Sequence, residues 1–277
     1  MPEANELLPL LIEPENLQEA LTKDDSHSIL LVDLRSEESF LKGHIPGAQH
    51  VLPSETQAGP PTPGFSPSDA RLTQLMQRIG LTDGSHVVVY DDEGGGWSGR
   101  FIWLLDEIGH NNYSYLNGGI LAWCAANLPI STELTPSVPS NITVKNQNKH
   151  SINLAELMDS ISTNALQIWD ARSPMEYRGE KVNAAKGGHI PGALNYEWTN
   201  AMDPSRNLRL KPLEDIRQAL NDIGISVNKD TITHCQSHHR SGLTYLLGKL
   251  LNFKSIKAYS GSWGEWGNHP HTPTEST

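Results

Sequence analysis

The chain has 277 residues, and typical domains hold about 100–150 residues, so two domains are expected. Acidic residues exceed basic ones, 32 against 21, and the net charge of -11 disfavours binding to the phosphate backbone of nucleic acids. The N-terminus carries Glu3 and Glu6 where a signal peptide needs basic residues, and the first apolar run, residues 7–12, is interrupted by Pro9. We therefore predict a cytoplasmic protein that does not bind membranes.

The first half of the chain alternates short apolar runs with helical patterns. Residues 29–34 and 87–90 are mostly apolar runs typical of buried strands, and residues 101–108 follow a helical pattern. Buried strands that alternate with helices indicate a mostly parallel sheet flanked by helices on both faces. The first half is therefore predicted to be an α/β domain.

The second half of the chain repeats the first. Corresponding segments lie 137 to 145 residues apart and keep one order, which predicts two tandem α/β domains of the same fold. The widening interval places an insertion in the second copy, at about residues 179–187. The repeated segments are 30–36 with 167–173, 43–48 with 188–193, 87–91 with 231–235, and 115–123 with 258–266.

Composition sets the domain boundaries. A polar stretch with Pro136 and Pro139 separates the copies and has the composition of a linker. From Asn268 onward the chain is rich in Pro, Thr and His, which predicts a frayed end. We assign the first domain to residues 1–135, the linker to 136–150, the second domain to 151–270 and a tail to 271–277.

The feature that points to chemistry is a cysteine between a strand and a helix. A predicted strand, residues 231–234, runs directly into Cys235, and a predicted helix, residues 243–251, follows a short loop. A loop at the carboxyl end of a strand aims backbone N–H groups and the positive end of the helix dipole at an anion. With Arg240 adjacent, a thiolate is favoured, so Cys235 is predicted to be a nucleophile.

With these motifs the chain resembles the tandem-domain rhodaneses, the thiosulfate sulfurtransferases. The resemblance covers nearly the whole chain. It rests on Asp-x-Arg after a strand, on His-Ile-Pro-Gly-Ala, on a six-residue cysteine loop, and on a Gly-rich turn followed by Trp near each domain end. The loop Cys-Gln-Ser-His-His-Arg is most similar to that of bacterial thiosulfate:cyanide sulfurtransferases. The resemblance implies two rhodanese-like domains, and we expect no cofactor.

The resemblance also implies a two-step sulfur transfer. Cys235 would attack the outer sulfur of thiosulfate, release sulfite and keep a persulfide, which then passes to cyanide or a thiol acceptor. A thioredoxin-like protein is one candidate acceptor. Loop N–H groups would bind the persulfide, and cationic side chains would attract the dianionic donor. The predicted binding residues are Gln236, Ser237, His238, His239 and Arg240, together with Trp198 and Arg178.

The first copy lacks the cysteine. It has Asp91 or Asp92 at the position of Cys235, and three glycines from Gly94 replace the cationic loop. Because a carboxylate cannot carry sulfane sulfur, we predict that the first domain is catalytically inactive. The resemblance implies that it covers the active site of the second domain. A tandem that buries its own domain interface is expected to be a monomer.

Other polar residues are predicted to have structural roles or to compensate for a departure from the family. Glu176 occupies the position where animal thiosulfate sulfurtransferases carry a substrate-binding arginine, and Arg178 or Lys186 are candidates to replace it. A metal site formed by His234, Cys235, His238 and His239 is not expected, because their spacing lacks the second ligand cluster of usual zinc sites. Motif residues present in both copies are expected to support the scaffold: His44 with His189, Asp33 with Asp170, and Arg35 with Arg172.

Two further expectations concern the cysteines and histidines. Cys124 lies beside Trp123 in an apolar helical stretch and is predicted to be a packing residue. His238 and His239, if unperturbed, titrate near neutral pH, so capture of an anionic donor is expected to weaken at alkaline pH.

Three alternative functions remain open from the sequence. Mercaptopyruvate is the second candidate donor, although the loop lacks the Cys-Gly-Ser-Gly-Val-Thr motif of mercaptopyruvate sulfurtransferases. Cysteine phosphatases of this fold place five residues between Cys and Arg, whereas four separate Cys235 from Arg240. A non-enzymatic binding module is disfavoured by the intact Cys235 and its cationic neighbours.

Overall fold

The computed structural model describes residues 8–23, 28–163 and 166–276. The predictions on Glu3, Glu6 and the first residue of the apolar run fall outside these ranges, as does Thr277. Within the described ranges the chain forms two α/β units, each built on a parallel sheet flanked by helices. The predicted fold class is therefore confirmed.

The first sheet is entirely parallel, in the order β1-β5-β4-β2-β3. Its central strand has the sequence His-Val-Val-Val-Tyr and is buried along its whole length, as expected for a strand covered on both faces. The strands are β1 (Leu11–Ile12), β2 (Ile29–Asp33), β3 (Gln49–His50), β4 (His86–Tyr90) and β5 (Tyr113–Leu116). The flanking helices are α1 (Pro14–Leu21), α2 (Glu37–Lys42), α3 (Asp69–Arg78), α4 (Gly96–Glu107) and α5 (Gly119–Ala125).

The second sheet repeats this plan with the parallel order β11-β10-β6-β7. A short antiparallel ribbon, β8 (Met202–Asp203) with β9 (Arg209–Leu210), lies between β7 and β10 in the chain. The sheet consists of β6 (Gln167–Asp170), β7 (Leu194–Asn195), β10 (Asp230–His234) and β11 (Ser255–Ala258). The helices are α6 (Leu154–Thr163), α7 (Pro174–Tyr177), α8 (Leu213–Asp222), α9 (Arg240–Leu250) and α10 (Ser262–Trp266).

The two units pack through α4 and α9, which belong to different halves of the chain. The helices approach so closely at Gly99 and Gly242 that a Cβ at Gly99 would lie 2.2 Å from the carbonyl oxygen of Gly242. Further along, the buried Asp106 of α4 accepts hydrogen bonds from Tyr245 Oη and Lys249 Nζ of α9, both at 2.6 Å. Apolar residues of both helices belong to one continuous core, so the units are joined by a hydrophobic interface.

The residues after α10 are packed against the second domain. Glu275 pairs with His189 in an antiparallel bridge, and the indole of Trp266 donates to the carbonyl of Pro273 at 2.8 Å. Lys186 Nζ donates to the carbonyls of His269 and Thr272. The predicted frayed end is therefore wrong for residues 268–276, because backbone pairing satisfies polar groups that composition alone leaves unassigned.

Cys124 lies on the outward face of α5. It is exposed, whereas Ala122 and Trp123 of the same helix are buried. The predicted packing role of Cys124 is wrong, because consecutive helical residues point in different directions and its apolar neighbours occupy the inner face.

Candidate active site

Cys235 lies at the carboxyl end of β10, directly before the loop that leads into α9. Its carbonyl accepts the N–H of Trp263 at 2.9 Å, and the carbonyl of Asp91 accepts the N–H of Ile120 at 3.0 Å in the first domain. These matching contacts make Asp91, rather than Asp92, the structural equivalent of Cys235. The first domain therefore has aspartate directly after β4, at the position where the second domain has cysteine directly after β10.

The Cys235 side chain is fully buried, and several donors surround its sulfur. Ser241 Oγ donates to Sγ at 3.4 Å. Burial by itself raises the pKa of the thiol, but the positive charge of Arg240 and hydrogen bonds from Ser241 and the Ser237 backbone outweigh it, so the pKa of Cys235 is lowered. The site therefore favours the thiolate, which is the nucleophilic form of cysteine.

Arg240 begins α9 and is held by the buried carboxylate of Glu176. The guanidinium donates to Glu176 Oε2 at 2.6 Å and to Oε1 at 2.9 Å, a bidentate pair that fixes its plane. Glu176 is itself positioned as the third residue of α7, where it forms a capping box with Ser173. Glu176 thus orients the cation whose charge lowers the pKa of the Cys235 thiol.

The Glu176–Arg240 pair gives folding stability a defined acid dependence. Burial alone raises the pKa of Glu176, but hydrogen bonds and charge from Arg240 and Ser173 lower it from 4.5 to about 2. Because the folded-state pKa is depressed, the stabilisation is complete above the unfolded pKa near 4.5 and is lost as pH falls towards 2. We expect the free energy of unfolding to fall between about pH 5 and about pH 2.5.

Urea unfolding of the wild type and of Glu176→Gln across this range measures the effect. The variant, which carries no ionisable group at this position, should show a shallower decline. Equal slopes for the two proteins would contradict the assignment.

His238 is fully buried against the first domain. Its Nδ1 donates to Ser241 Oγ at 2.8 Å, since the Ser241 hydroxyl proton is directed at sulfur, and its ring packs edge-on against Trp103 with centroids 4.6 Å apart. Burial, with help from the charge of Arg100, lowers the pKa of His238 well below 6.5. The ring is therefore neutral at physiological pH. The expectation that its cationic form attracts the donor is wrong.

His239 also faces the first domain. Its ring stacks on Trp97 with centroids 4.1 Å apart, and its Nε2 pairs with the carboxylate of Glu93. Trp198, in a 3-10 turn of the second domain, meets the His239 ring edge-on at 5.5 Å. His239 and Trp198 thus form part of the domain interface beside the loop.

Gln236 and Ser237 line a cavity between the two domains. The cavity has a volume of about 310 Å³. Its first-domain wall includes Pro61, Pro63 and Phe65, and Glu265 and Asn268 add to the second-domain wall. The Gln236 side chain donates from Nε2 to the carbonyl of Asn183, within the predicted insertion. The first domain therefore covers one side of the cysteine loop.

Arg178 has its side-chain contacts with Glu180 and none with a loop residue among the described contacts. It is part-exposed and pairs with Glu180 at 2.7 Å, a surface contact between neighbours in the chain. Lys186, the other candidate to replace the arginine absent at position 176, donates instead to backbone carbonyls of the residues after α10. Of the predicted binding residues, the described contacts bring Gln236, Ser237, His238, His239, Arg240 and Trp198 together and do not include Arg178.

Asp170, the last residue of β6, and Arg172 form a buried ion pair. Arg172 Nη2 lies 2.6 Å from Asp170 Oδ2, and its guanidinium stacks over Trp263 at 4.3 Å. Asp33 and Arg35 form the same pair in the first domain, which has no cysteine loop. In the second domain Asp170 also lies 3.6 Å from His234, whose pKa burial lowers to about 4, so this histidine is neutral.

Sequence reasoning missed four residues around the loop. Ser241 donates to sulfur, and Ser262 Oγ accepts the N–H groups of Cys235 and His238. Glu93 and Arg100 reach the loop from the first domain. Only Arg100 could have been noticed from the sequence, because it is a charged residue next to the apolar residues of the helix that follows the first loop.

The equivalent loop of the first domain is occupied by its own carboxylate. Asp91 Oδ1 accepts the N–H groups of Glu93 and Gly95, and Oδ2 accepts that of Ser98 at 3.0 Å. Gly95 has a φ of 105° and caps α4 in the left-handed conformation, which a glycine adopts without strain. The donors that would bind an anion at this loop are therefore already used.

The described part of the chain has neither a membrane-spanning helix nor a cluster of metal ligands. No helix there is long and apolar enough to cross a bilayer. No group of three or more His, Cys, Asp or Glu side chains in the same ranges is arranged to hold a metal ion.

This chain is similar to known proteins over nearly its whole length. It is 52% identical to a thiosulfate sulfurtransferase of Azotobacter vinelandii and 49% identical to one of Pseudomonas aeruginosa, with 97% of both chains covered in each case. The wild-type structure of EanB covers 96% of this chain and 69% of its own with a TM-score of 0.83, and at 20% identity this likeness shows the fold alone. The model of the rhodanese-like domain matches residues 13–126 and 153–269. The chain therefore belongs to the rhodanese-like family, and it contains two domains of that kind.

Proposed function

We propose that this protein is a thiosulfate sulfurtransferase that works through a persulfide on Cys235. The observation that carries the proposal is the buried Cys235 thiol, whose pKa is lowered by Arg240 and by donors of the loop. Both relatives near 50% identity bear the name thiosulfate sulfurtransferase. A stabilised thiolate at the end of a strand is the nucleophile that this reaction requires.

The reaction proceeds in two displacements. The Cys235 thiolate attacks the outer sulfur of thiosulfate, the S–S bond of the donor breaks, and sulfite leaves with the bonding electron pair. Cyanide or a thiolate then attacks the outer sulfur of the persulfide, which releases thiocyanate or a new persulfide and restores the thiolate. Loop N–H groups and Arg240 stabilise the negative charge on sulfur in both steps. No oxidant and no cofactor is needed for this balance.

The proposal extends to the setting of the reaction. A thiolate nucleophile and thiol acceptors, including a thioredoxin-like protein, require a reducing compartment, so we place the activity in the cytoplasm. One hydrophobic cluster includes residues of both the first domain, residues 1–135, and the second, residues 151–270. Their interface is therefore buried within one chain, which supports a monomer. We assign residues 136–150 to the linker between them and residues 271–277 to the tail.

Intact-mass spectrometry tests the proposal. The protein is measured as purified, after thiosulfate, and after subsequent cyanide, with peptide mapping of both cysteines. We expect thiosulfate to add one sulfur atom to the Cys235 peptide and cyanide to remove it. The exposed Cys124 is an internal control that should remain unmodified. A mass that never changes with thiosulfate, but changes with mercaptopyruvate, would overturn the choice of donor.

The inactivity of the first domain gives a separate prediction. Asp91→Cys in a Cys235→Ala background places a thiol at the equivalent strand end. We expect no sulfur transfer from it, because Gly94, Gly95 and Gly96 supply no cation to lower the thiol pKa. The thiosulfate:cyanide assay of the double variant measures this. Turnover that depends on the new cysteine would show that the first domain lost its activity through Asp91 alone.

A further inference from the structure

Arg100 is a fully buried arginine of the first domain that contacts the cysteine loop of the second. It lies in the first turns of α4, and its Nη1 donates to the carbonyls of Ser237 at 3.4 Å and His238 at 3.2 Å. The same Nη1 also donates to the Gly64 carbonyl at 3.0 Å, and Nη2 donates to the carbonyls of Thr56 and Phe65, all three in its own domain. One guanidinium thus ties the loop to a segment of the first domain.

The charge of Arg100 has no carboxylate partner among the described residues. Its hydrogen-bond acceptors are carbonyl oxygens and the Thr56 hydroxyl, whereas Arg240 shares its charge with Glu176. Burial lowers the pKa of Arg100 to about 9, while the charge of Cys235 raises it, so the guanidinium is positive at neutral pH. A buried charge is costly unless another group compensates it. The Cys235 thiolate is the anion that acts on it.

The loop adopts a conformation that needs external support. His238 has a φ of 55°, in the left-handed region that non-glycine residues seldom occupy. Its N–H is held by Ser262 on one side and its carbonyl by Arg100 on the other. Because Arg100 of α4 binds the His238 carbonyl, this oxygen cannot point towards the Cys235 sulfur. The Ser237 N–H can therefore donate to the thiol.

The pseudo-symmetry of the two domains makes the position of Arg100 informative. Gly99 and Gly242 pack against each other, so Arg100 and Leu243, the next residue of each helix, occupy equivalent places. Leu243 contacts the glycine loop of the first domain, 3.0 Å from the Cβ position at Gly95, while Arg100 contacts the cysteine loop. The apolar residue therefore faces the loop without a cysteine, and the cation faces the loop that carries Cys235.

We propose that Arg100 is a positioning residue for the sulfur-transfer site: from the neighbouring domain it holds the Ser237 and His238 carbonyls and so fixes the loop donors around Cys235. The proposal rests on the proposed function for its catalytic consequence. The charged and titratable groups around the thiol come from every element packed there: Arg240 of α9 with Glu176 of α7, His238 and His239 of the loop, Glu93 and Arg100 of the first domain, and the His234–Asp170 pair of β10 and β6. The role of Arg100 is distinct from that of Arg240, which stands beside the thiol on its own domain.

The pH dependence of Cys235 alkylation by iodoacetamide tests this role on the unloaded protein. We compare wild type, Arg100→Met and Arg100→Lys, with Tyr245→Phe as a matched control that removes a hydrogen bond between the domains, from α9 to α4 and away from the loop. Arg100→Met should raise the midpoint of alkylation by about one pH unit and slow persulfide formation from thiosulfate by at least about tenfold. Arg100→Lys keeps the charge, but its donors all lie on one nitrogen and cannot span the loop carbonyls and the Thr56 and Phe65 carbonyls as the planar guanidinium does, so it should slow persulfide formation with a smaller shift.

The control separates positioning from domain docking. Tyr245→Phe should lower the melting temperature and leave the alkylation midpoint unchanged. If Arg100→Met lowers the melting temperature but leaves both midpoint and rate unchanged, Arg100 is only structural and the proposal fails. If Arg100→Met does not fold, an unchanged midpoint and an unchanged rate in Arg100→Lys overturn it equally. Should thiosulfate fail to load the wild type, the proposed function fails while the alkylation comparison still stands.

Discussion

Replacing Cys235 by alanine is expected to reduce sulfur transfer from thiosulfate to cyanide to the level of the protein-free reaction, at least about a thousandfold below wild type. Without the sulfur there is no atom on which the persulfide can form, and Ser241 offers only a hydroxyl. Cys235 is a small side chain at the end of β10, so the fold and melting temperature should change little. A steady-state assay with both substrates, together with circular dichroism, measures both effects.

Cys124→Ala is the matched control for this experiment. Cys124 is the other free cysteine, it is exposed on α5, and no step of the proposed reaction uses it. Its variant should keep wild-type activity. Thiosulfate-dependent turnover that survives Cys235→Ala and disappears in Cys124→Ala would make Cys124 of the first domain the sulfur carrier. That result would refute a persulfide on Cys235.

Arg240→Met is expected to lower kcat/KM for thiosulfate by about a hundredfold and to destabilise the fold at the same time. The activity falls because the Cys235 thiolate loses the positive charge of Arg240. The stability falls by about 3 kcal/mol because Glu176, which is 3% exposed, keeps its charge without a cationic partner. Denaturant unfolding and initial rates measured on one preparation give both values.

The double variant Arg240→Met with Glu176→Gln separates the two effects. Removing the carboxylate charge together with the guanidinium leaves no unpaired buried ion, so most of the lost stability should return. Activity should stay low, because the cation is still missing. A double variant with restored activity would show that Arg240 matters through folding rather than through the charge it places beside Cys235.

Much of the architecture was predictable because the chain contains two copies of the same pattern. The apolar runs at residues 29–34 and 87–90 became β2 and β4, and the strand–cysteine–helix order placed Cys235 where parallel sheets bind ligands. These features depend on local sequence and on the rule that parallel strands end at one edge of a sheet. Where α4 and α9 begin was less predictable, since their first turns carry glycines and polar residues.

The supporting contacts of the site were not predictable from the pattern. Glu176 meets Arg240 across 64 positions of sequence, and Arg100 meets Ser237 across 137. His238 illustrates the same limit, since its neighbours in sequence indicate an ordinary histidine, while burial against Trp103 sets its charge. Long-range packing decides these properties, and no single-sequence pattern encodes it.

The contact between Gly99 and Gly242 has a consequence for how this chain tolerates change. A Cβ at Gly99 meets a backbone oxygen of the other helix at 2.2 Å, and a Cβ at Gly242 meets the carbonyl oxygen of Gly96 at 2.4 Å. Backbone atoms are present whatever residue the partner helix carries, so no second substitution can make room for the first. The two glycines are therefore constrained independently, and paired mutagenesis should find neither rescue nor covariation between them.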